Sequence, residues 1–563
     1  MSESDVIIVG AGPSGLALSL SLARYGVPSL VLDSGDGHVA PRAARSCLLR
    51  PDTAAWLQTS PEPGIPATRW TRWRTQRRRQ LVQDVELSEE TSPVHLEQHA
   101  LERGLRAALA REKLARVVTG SHLDILEQDA AGVTAHTRPR GSSGVAGREG
   151  GTWWRGSYLV GCDGARSTVR KLLGVRFTGR TAVERHAVAA LRTRLPWEDQ
   201  ALLHRDPDGT PGEVTARPLP GGVWRLDWLL PPRGELVTPE ALLDRVGTTL
   251  AQWYDTGHGE HATPGPYELL DTGVHTAHQR LAQRWRVDRA FLAGDAAHLV
   301  GALGVQSVDE GLRDVANLAW KLALAWHEAG GARGRRVDRD ATETLLDSYE
   351  TERRGAVGAR LRAVDQALPL VRRAGGGLRT MLPGGGARTP LELLTDGHLG
   401  RGPLGAPAAY RRSPLAPARN AVDTVLVDTA PGAPVHDVPV IALTGERGRL
   451  RGRLGGRGGE LLVLLVAPGT GVWDSRHWLS AGMMPELVAA VEALPLHAEL
   501  LVAEDYPGAA AHTVLVIRPD GHLVAALPGP RTAQLRACVD ALRGGTLPDR
   551  TPASRETPRR DRF

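Results

Sequence analysis

Apolar positions along the chain change period several times, and each change marks an element. The run from Asp5 to Val9 is short and, after Asp5, continuously apolar, as in a strand buried on both faces. Glycine-rich residues 10–15 interrupt it, and Leu16, Leu20 and Ala23 then fall on one face of a helix. Ser29–Leu32 reads as a second buried strand. Tyr158–Gly161 and Ala290–Ala293 read as two more, the latter followed by a small-residue loop and a strongly periodic helix. Between residues 180 and 280 the pattern alternates instead: Val214–Arg217 and Gly222–Leu230 suit a half-buried antiparallel sheet. Trp224 and Trp228 could line a pocket there, although alternating tryptophans more often belong to a core. Residues 374–420, rich in Gly, Pro and Arg, read as a linker. From 421 a compact α/β pattern resumes, with strands at Glu460–Val466 and Thr513–Ile517 and helices at Met484–Ala493 and Arg531–Leu542. The last residues, 546–563, are polar and proline-containing, which predicts disorder.

Composition narrows the class. A chain of 563 residues is long enough for two to four packed units. Its 41% hydrophobic and 23% charged content is that of an ordinary globular protein. No apolar run reaches the roughly 18 residues a membrane span needs. The N-terminus has no basic segment ahead of its apolar run, so no secretory leader and a cytoplasmic location are expected. The net charge is +6 and almost wholly arginine, lysine occurring only at Lys113, Lys171 and Lys321. That bias points to a GC-rich genome, and the dispersed arginines argue against a nucleic-acid surface. Cys47, Cys162 and Cys538 stand far apart without a CxxC, and the histidine pairs His258/His261 and His275/His278 lack acidic partners, so no metal site is expected.

Three stretches carry candidate chemistry. Gly10, Ala11, Gly12, Pro13, Ser14 and Gly15 form GxGxxG between strand and helix. Gly10 permits the tight turn, Gly12 lets backbone amides approach a pyrophosphate, and Gly15 lets the helix pack on the strand. The helix N-terminus adds partial positive charge. Asp33, at the end of the next strand, is placed to accept from a ribose. The second stretch, from Tyr158 through Asp163-Gly164 to Arg170, is a strand ending in Asp-Gly before a helix capped near Ser167. The third runs from Gly294 to Leu322. An Asp at a strand tip suits a hydroxyl-rich ligand, and a loop of small residues suits a flat one.

In these motifs and their order the chain resembles the single-component FAD-dependent aromatic hydroxylases of the p-hydroxybenzoate hydroxylase fold, and within them the phenolic-propionate and polyketide hydroxylases. The resemblance covers roughly residues 1–365. It implies an α/β architecture: a Rossmann-like FAD-binding domain (1–180 and 281–373) interleaved with an antiparallel-sheet substrate domain (181–280). After the linker, residues 421–545 would form a thioredoxin-like domain which, without CxxC, has no dithiol chemistry. That C-terminal unit is expected to fold separately.

By the same resemblance Asp33 meets the adenosine ribose, and Gly294-Asp295 the ribityl chain. Arg42 and Gln98 lie beside the flavin, and Asp163 serves both FAD and NADPH binding. Backbone groups from Gly304 to Val308 face the isoalloxazine ring. The implied activity is an NAD(P)H-consuming monooxygenase with non-covalent FAD. O2 adds at flavin C4a, and the resulting hydroperoxide delivers one oxygen atom to an electron-rich aromatic, phenolic or polyketide-like substrate. No catalytic base can be named, and no second Rossmann motif for NAD(P)H is present. Baeyer–Villiger oxidation, epoxidation, dehydrogenation and a non-catalytic flavin-binding partner remain alternatives, and a homodimer is compatible with the pattern.

The third stretch departs from the family, which usually carries two prolines at the positions of Gly301 and Ala302, and Gly-Gly-Gln-Gly-Met-Asn where this chain has Gly304 to Asp309. Two consequences are expected. Val305 and Ser307 restrict a backbone that glycines would leave free, and Asp309 brings a negative charge toward the flavin ring.

Overall fold

The computed structural model describes residues 5–58, 64–139, 151–207, 212–231, 237–255, 266–330, 339–372, 380–382, 386–455, 461–469 and 482–545. The tail at 546–563 and the pair His258/His261 lie outside the described residues.

Strands far apart in sequence assemble the first sheet, in the order Arg286–Val287, Ala290–Leu292, Tyr158–Gly161, Val6–Val9, Ser29–Leu32, Ala115–Val118. All neighbours but the first pair run parallel. The central strands are buried on both faces, which explains their unbroken apolar runs. Val9 is level with Gly161, and Gly161 with Leu292. The glycine-rich turn, the Asp-Gly turn and the Gly-Asp turn therefore emerge side by side at the carboxyl ends, where open α/β sheets take their ligands.

A second sheet of eight strands has the order His298–Leu299, Glu268–Ala282, Phe177–Arg192, Val223–Leu230, Glu213–Leu219, Gln200–Arg205, Arg72–Arg77, Gln80–Glu86. It recruits residues 72–86 and 298–299 as well as the alternating segment at 181–280. Alternation there predicts half-burial. Instead Glu213–Leu219 and Val223–Leu230 are buried almost throughout, because both faces of the sheet are covered. On one side Trp224, Leu226 and Trp228 pack against Val246, Leu250 and Trp253 of the helix Pro239–Asp255, so both tryptophans are core. On the other, Val188, Ala190, Leu219 and Val223 meet Ala44, and Arg225 donates to Ser46 Oγ at 3.0 Å. Polar side chains on that covered face satisfy one another: Arg217 and Arg225 both bind Asp227.

The C-terminal sheet runs Arg447–Arg449, Pro439–Ala442, Ala498–Ala503, Leu461–Val466, Val514–Ile517, Leu523–Leu527. Composition predicts a separate unit here, yet Leu461, Val463, Val514 and Val516 share one continuous apolar core with Val6, Leu16 and Leu318 of the first domain. Its outer face, with Leu462, Leu464 and Ile517, has a small core of its own. The interval that reads as a linker also contains an ordered helix, Pro390–Leu399, whose Thr389 and Glu392 form a capping box. Glycine and proline content concealed it, since Pro stands at its first turn and Gly400, left-handed, ends it.

Candidate cofactor site

Each turn at the sheet edge is built by close backbone approach. Gly10 has φ +103°, and a Cβ there would lie 2.8 Å from the Cys162 carbonyl carbon, so the first turn and the Asp-Gly turn touch. A Cβ on Gly15 would overlap the Gly10 carbonyl. Gly12 differs: a Cβ would meet nothing within 4 Å, and this residue starts the helix Pro13–Arg24 with no side-chain cap. Open space thus stands in front of an uncapped helix N-terminus, an arrangement suited to phosphate. Ala11 N faces Asp33 Oδ1 at 3.5 Å, and Arg106 stands 3.5 Å from Oδ2, leaving the carboxylate partly exposed at the strand tip.

The turn after Leu292 is held from three sides. Gly294, with φ +60°, donates its N–H to Asp314 Oδ2 at 2.9 Å. The same oxygen meets His298 Nε2 at 2.7 Å, while Arg353 Nε donates to Asp314 Oδ1 at 2.9 Å. Arg170, from the helix after the Asp-Gly turn, donates to the Ala296 carbonyl at 2.8 Å and lies over the Phe177 ring. Asp295 itself accepts from Ser307 Oγ, tying the strand tip to the first residue of the helix Ser307–Gly330.

The other expected residues have defined partners. Asp163 Oδ1 accepts from Ser167 Oγ at 2.5 Å, and Oδ2 accepts from Thr168 N at 2.6 Å and Val169 N at 3.0 Å, so Oδ2 caps the first amides of the helix Thr168–Leu172 beside its N-cap Ser167. Gln98 accepts from Arg45 Nε at 3.0 Å and donates to Glu102. Arg42 is largely exposed and pairs with Asp271 at 3.0 Å. Gly304 has φ +81° and rests against His398, whose Nδ1 would lie 2.6 Å from a Cβ at this position. Val308 packs on the core in the first turn of the long helix.

Two expectations for this loop change. Positive φ falls on Leu303, at +54°, and Gly304, whereas Val305 has φ −63° and Ser307 is helical. The residues that replace family glycines therefore sit in ordinary conformations. Asp309 does not extend a free charge toward a ring: it is 3% exposed, ion-paired with Arg50 and Arg313, and accepts the Arg50 N–H at 2.9 Å. Its neighbour Glu310 is bound by Arg50, Arg353 and Arg360. Burial would raise the Glu310 carboxyl, but those arginines outweigh it and hold it well below the usual range.

Sequence reading missed these arginines and Glu352, which binds Lys321 at 2.7 Å and Arg518 at 2.7 Å. Their only sequence signal is charge within or beside otherwise apolar elements, which does not reveal a partner. The site fits FAD on its own geometry: amides and open space for a pyrophosphate at Gly12, an acceptor for ribose at Asp33 and an acceptor at Asp295 beside a second helix start.

A family profile described as an FAD binding domain matches residues 3–364. The chain belongs to this family. Within it, the chain is similar to the 3-(3-hydroxy-phenyl)propionate/3-hydroxycinnamic acid hydroxylase of Comamonas testosteroni, 31% identical over 361 residues covering 62% of this chain and 56% of that protein. Rifampicin monooxygenase of Streptomyces venezuelae is 32% identical over 357 residues, 62% of this chain and 68% of the relative. For the first curated relatives the match spans little more than half of their length, 56% and 53%. The crystal structure of the flavin-dependent monooxygenase PieE in complex with FAD and substrate aligns over 96% of this chain and 99% of its own, with a TM-score of 0.66 and 19% identity. The fold of this FAD-binding chain is thus shared along nearly its full length.

Proposed function

We propose that the chain is an FAD-dependent, NAD(P)H-consuming monooxygenase that hydroxylates an aromatic, phenolic or polyketide-like small molecule. The reading rests on one observation. Residues 3–364 match the FAD-binding family and carry its three turns at one sheet edge, and curated relatives over this stretch are named hydroxylases and monooxygenases. Bound FAD, reduced by NAD(P)H, would supply the activation of O2.

The chain's own residues bind and orient. The Gly12 helix start holds the pyrophosphate, Asp33 accepts from the adenosine ribose, and Asp295 accepts from the ribityl chain. One face of the eight-stranded sheet is covered by Ala44 and Ser46, and such a cover would help exclude water from a substrate bound against it. O2, NAD(P)H and the aromatic substrate are the partners in this proposal, with a cytoplasmic location and a homodimer completing it. Residues 421–545 would serve as a thioredoxin-like packing domain without redox chemistry.

NAD(P)H oxidation by purified holoprotein tests the reading against a panel of phenols and aromatic polyketides. At least one should accelerate oxidation tenfold or so over the rate without substrate, as binding-gated catalysis requires. A protein that holds FAD stoichiometrically but shows no stimulation by any aromatic would favour the non-catalytic alternative.

A further inference from the structure

Leu303 is a buried, non-glycine residue with φ +54°, a conformation that L side chains rarely adopt. Nothing local enforces it, for Gly301 and Ala302 precede it and neither restricts the backbone as proline would. What holds it comes from elsewhere. The Leu303 N–H donates to Glu184 Oε2 at 2.9 Å. Glu184 is 3% exposed and stands in the strand Phe177–Arg192 where its register with Glu268–Ala282 shifts. Arg372, the last residue of the helix Gly355–Arg372, binds Glu184 Oε1 through Nε at 2.8 Å and Glu213 at 2.9 Å. His186 stands 3.7 Å from Oε2. On the loop's other side a Cβ on Gly397 would overlap the Leu303 carbonyl, so the helix Pro390–Leu399 presses the loop against the carboxylate.

We propose that Glu184 is the positioning residue of loop 301–306: its carboxylate, aimed by Arg372, keeps Leu303 left-handed and so sets the backbone that the flavin ring meets. The inference rests on the reading that this loop faces the flavin. A charge-assisted hydrogen bond to a buried amide is worth about as much as one left-handed residue costs, so the clamp offsets the conformation it holds. It also places the loop under the control of the substrate sheet, since Glu184 shares its strand and face with Val188 and Ala190.

The test compares Glu184→Ala, Leu303→Gly and the double variant as full-length holoproteins. Three quantities are read: hydrogen exchange in the peptide spanning Leu303, FAD affinity, and the flavin absorption spectrum. Glu184→Ala should speed exchange at Leu303 by about tenfold, weaken FAD binding by about tenfold and shift the flavin bands. In the double variant, the Leu303→Gly change lets the backbone reach positive φ without a clamp, so FAD affinity should return to within about threefold of wild type while exchange stays fast. Unchanged exchange in Glu184→Ala, or no recovery of affinity in the double variant, overturns the proposal. Faster exchange with FAD affinity and spectrum both unaltered upholds the clamp and instead overturns the loop-to-flavin reading. Should Glu184→Ala fail to fold, Glu184→Gln keeps an acceptor but loses the charge. Intermediate exchange is then the expected result, and wild-type exchange in that variant overturns the proposal.

Discussion

At Asp309 the carboxylate lies between Arg50 and Arg313, so its charge is already answered within the protein. Asp309→Asn should therefore cost about 3 kcal/mol of stability, as when one partner of a buried ion pair is removed, and leave the flavin potential unchanged. Denaturant unfolding and a redox titration check the two halves, and a raised potential with intact stability would restore the sequence-based expectation. Asp295 faces the opposite test. Its replacement by Ala should weaken FAD retention by about 1.5–3 kcal/mol, the worth of a hydrogen bond to a charged group, and an unchanged FAD affinity would remove it from the site. Residue identity announced both carboxylates, but not their roles. Asp295 follows a strand whose tip is fixed by local pattern, whereas Asp309 acquires its partner from residue 50, a contact that no periodicity reveals.

The helix Ser307–Gly330 carries its apolar face in legible spacing, yet its other face is not a solvated one. Asp314, Asn317 and Lys321 are all buried, and they meet Glu352 and Arg353 from the segment Glu350–Arg354. Glu352 also binds Arg518, which pairs with Asp520 at 2.5 Å, and Asn317 donates to Asp520 at 3.0 Å, so the C-terminal Arg-Pro-Asp-Gly turn reaches this helix directly. Burial would raise the Glu352 carboxyl, but Arg518 and Lys321 hold it far below the usual range. Glu352→Gln should leave Lys321 and Arg518 short of charge and destabilise the fold by about 3–5 kcal/mol. A thermal midpoint equal to wild type would mean that the network is not bearing on stability. Strand and helix positions in this region were readable because periodicity is local. The helix Pro390–Leu399 was not, because its first-turn proline and capping glycine look like linker composition until a neighbour packs on it.

On the scale of the whole molecule, the parallel sheet of the N-terminal region and the C-terminal sheet share one apolar core. Truncation after residue 420 should yield insoluble protein or a strongly lowered melting temperature, because it exposes that apolar face and strands Glu352. A soluble, FAD-loaded fragment with wild-type stability would re-establish two independent units. The order of the parallel strands, by contrast, follows from turn motifs that the sequence displays, which is why the site's outline was legible while its arginine framework was not.

Acid sensitivity is set at the same scale. His95 is fully buried between Ser46 Oγ at 2.7 Å and the Pro218 carbonyl at 2.8 Å, and burial keeps its ring from protonating until well below the ordinary histidine range. Burial, together with Arg217 and Arg372, likewise lowers His398 to about 3. Below an ordinary pKa of about 6.5 the unfolded chain therefore binds protons that the native one does not, and stability falls as pH drops from 6.5 toward 3. Each ring contributes a slope of up to about 1.4 kcal/mol per pH unit. Burial raises Glu184, but the nearby His186 ring and Arg372 outweigh it and hold it at about 2, so its contribution is complete above about 4.5 and is lost as pH falls toward 2. Chemical denaturation between pH 5 and 7 should show stability rising with pH, and His398→Leu should flatten that rise; a profile level across the window would contradict the buried neutral histidines.

Isotope incorporation reads monooxygenation without assuming a substrate name. The aromatic that most stimulates NAD(P)H oxidation is turned over under 18O2, and the product is analysed by mass spectrometry. One labelled oxygen atom per product molecule, with the other recovered in water, is the result expected. Oxidised product without label would mean dehydrogenation on the same flavin, and would contradict a monooxygenase.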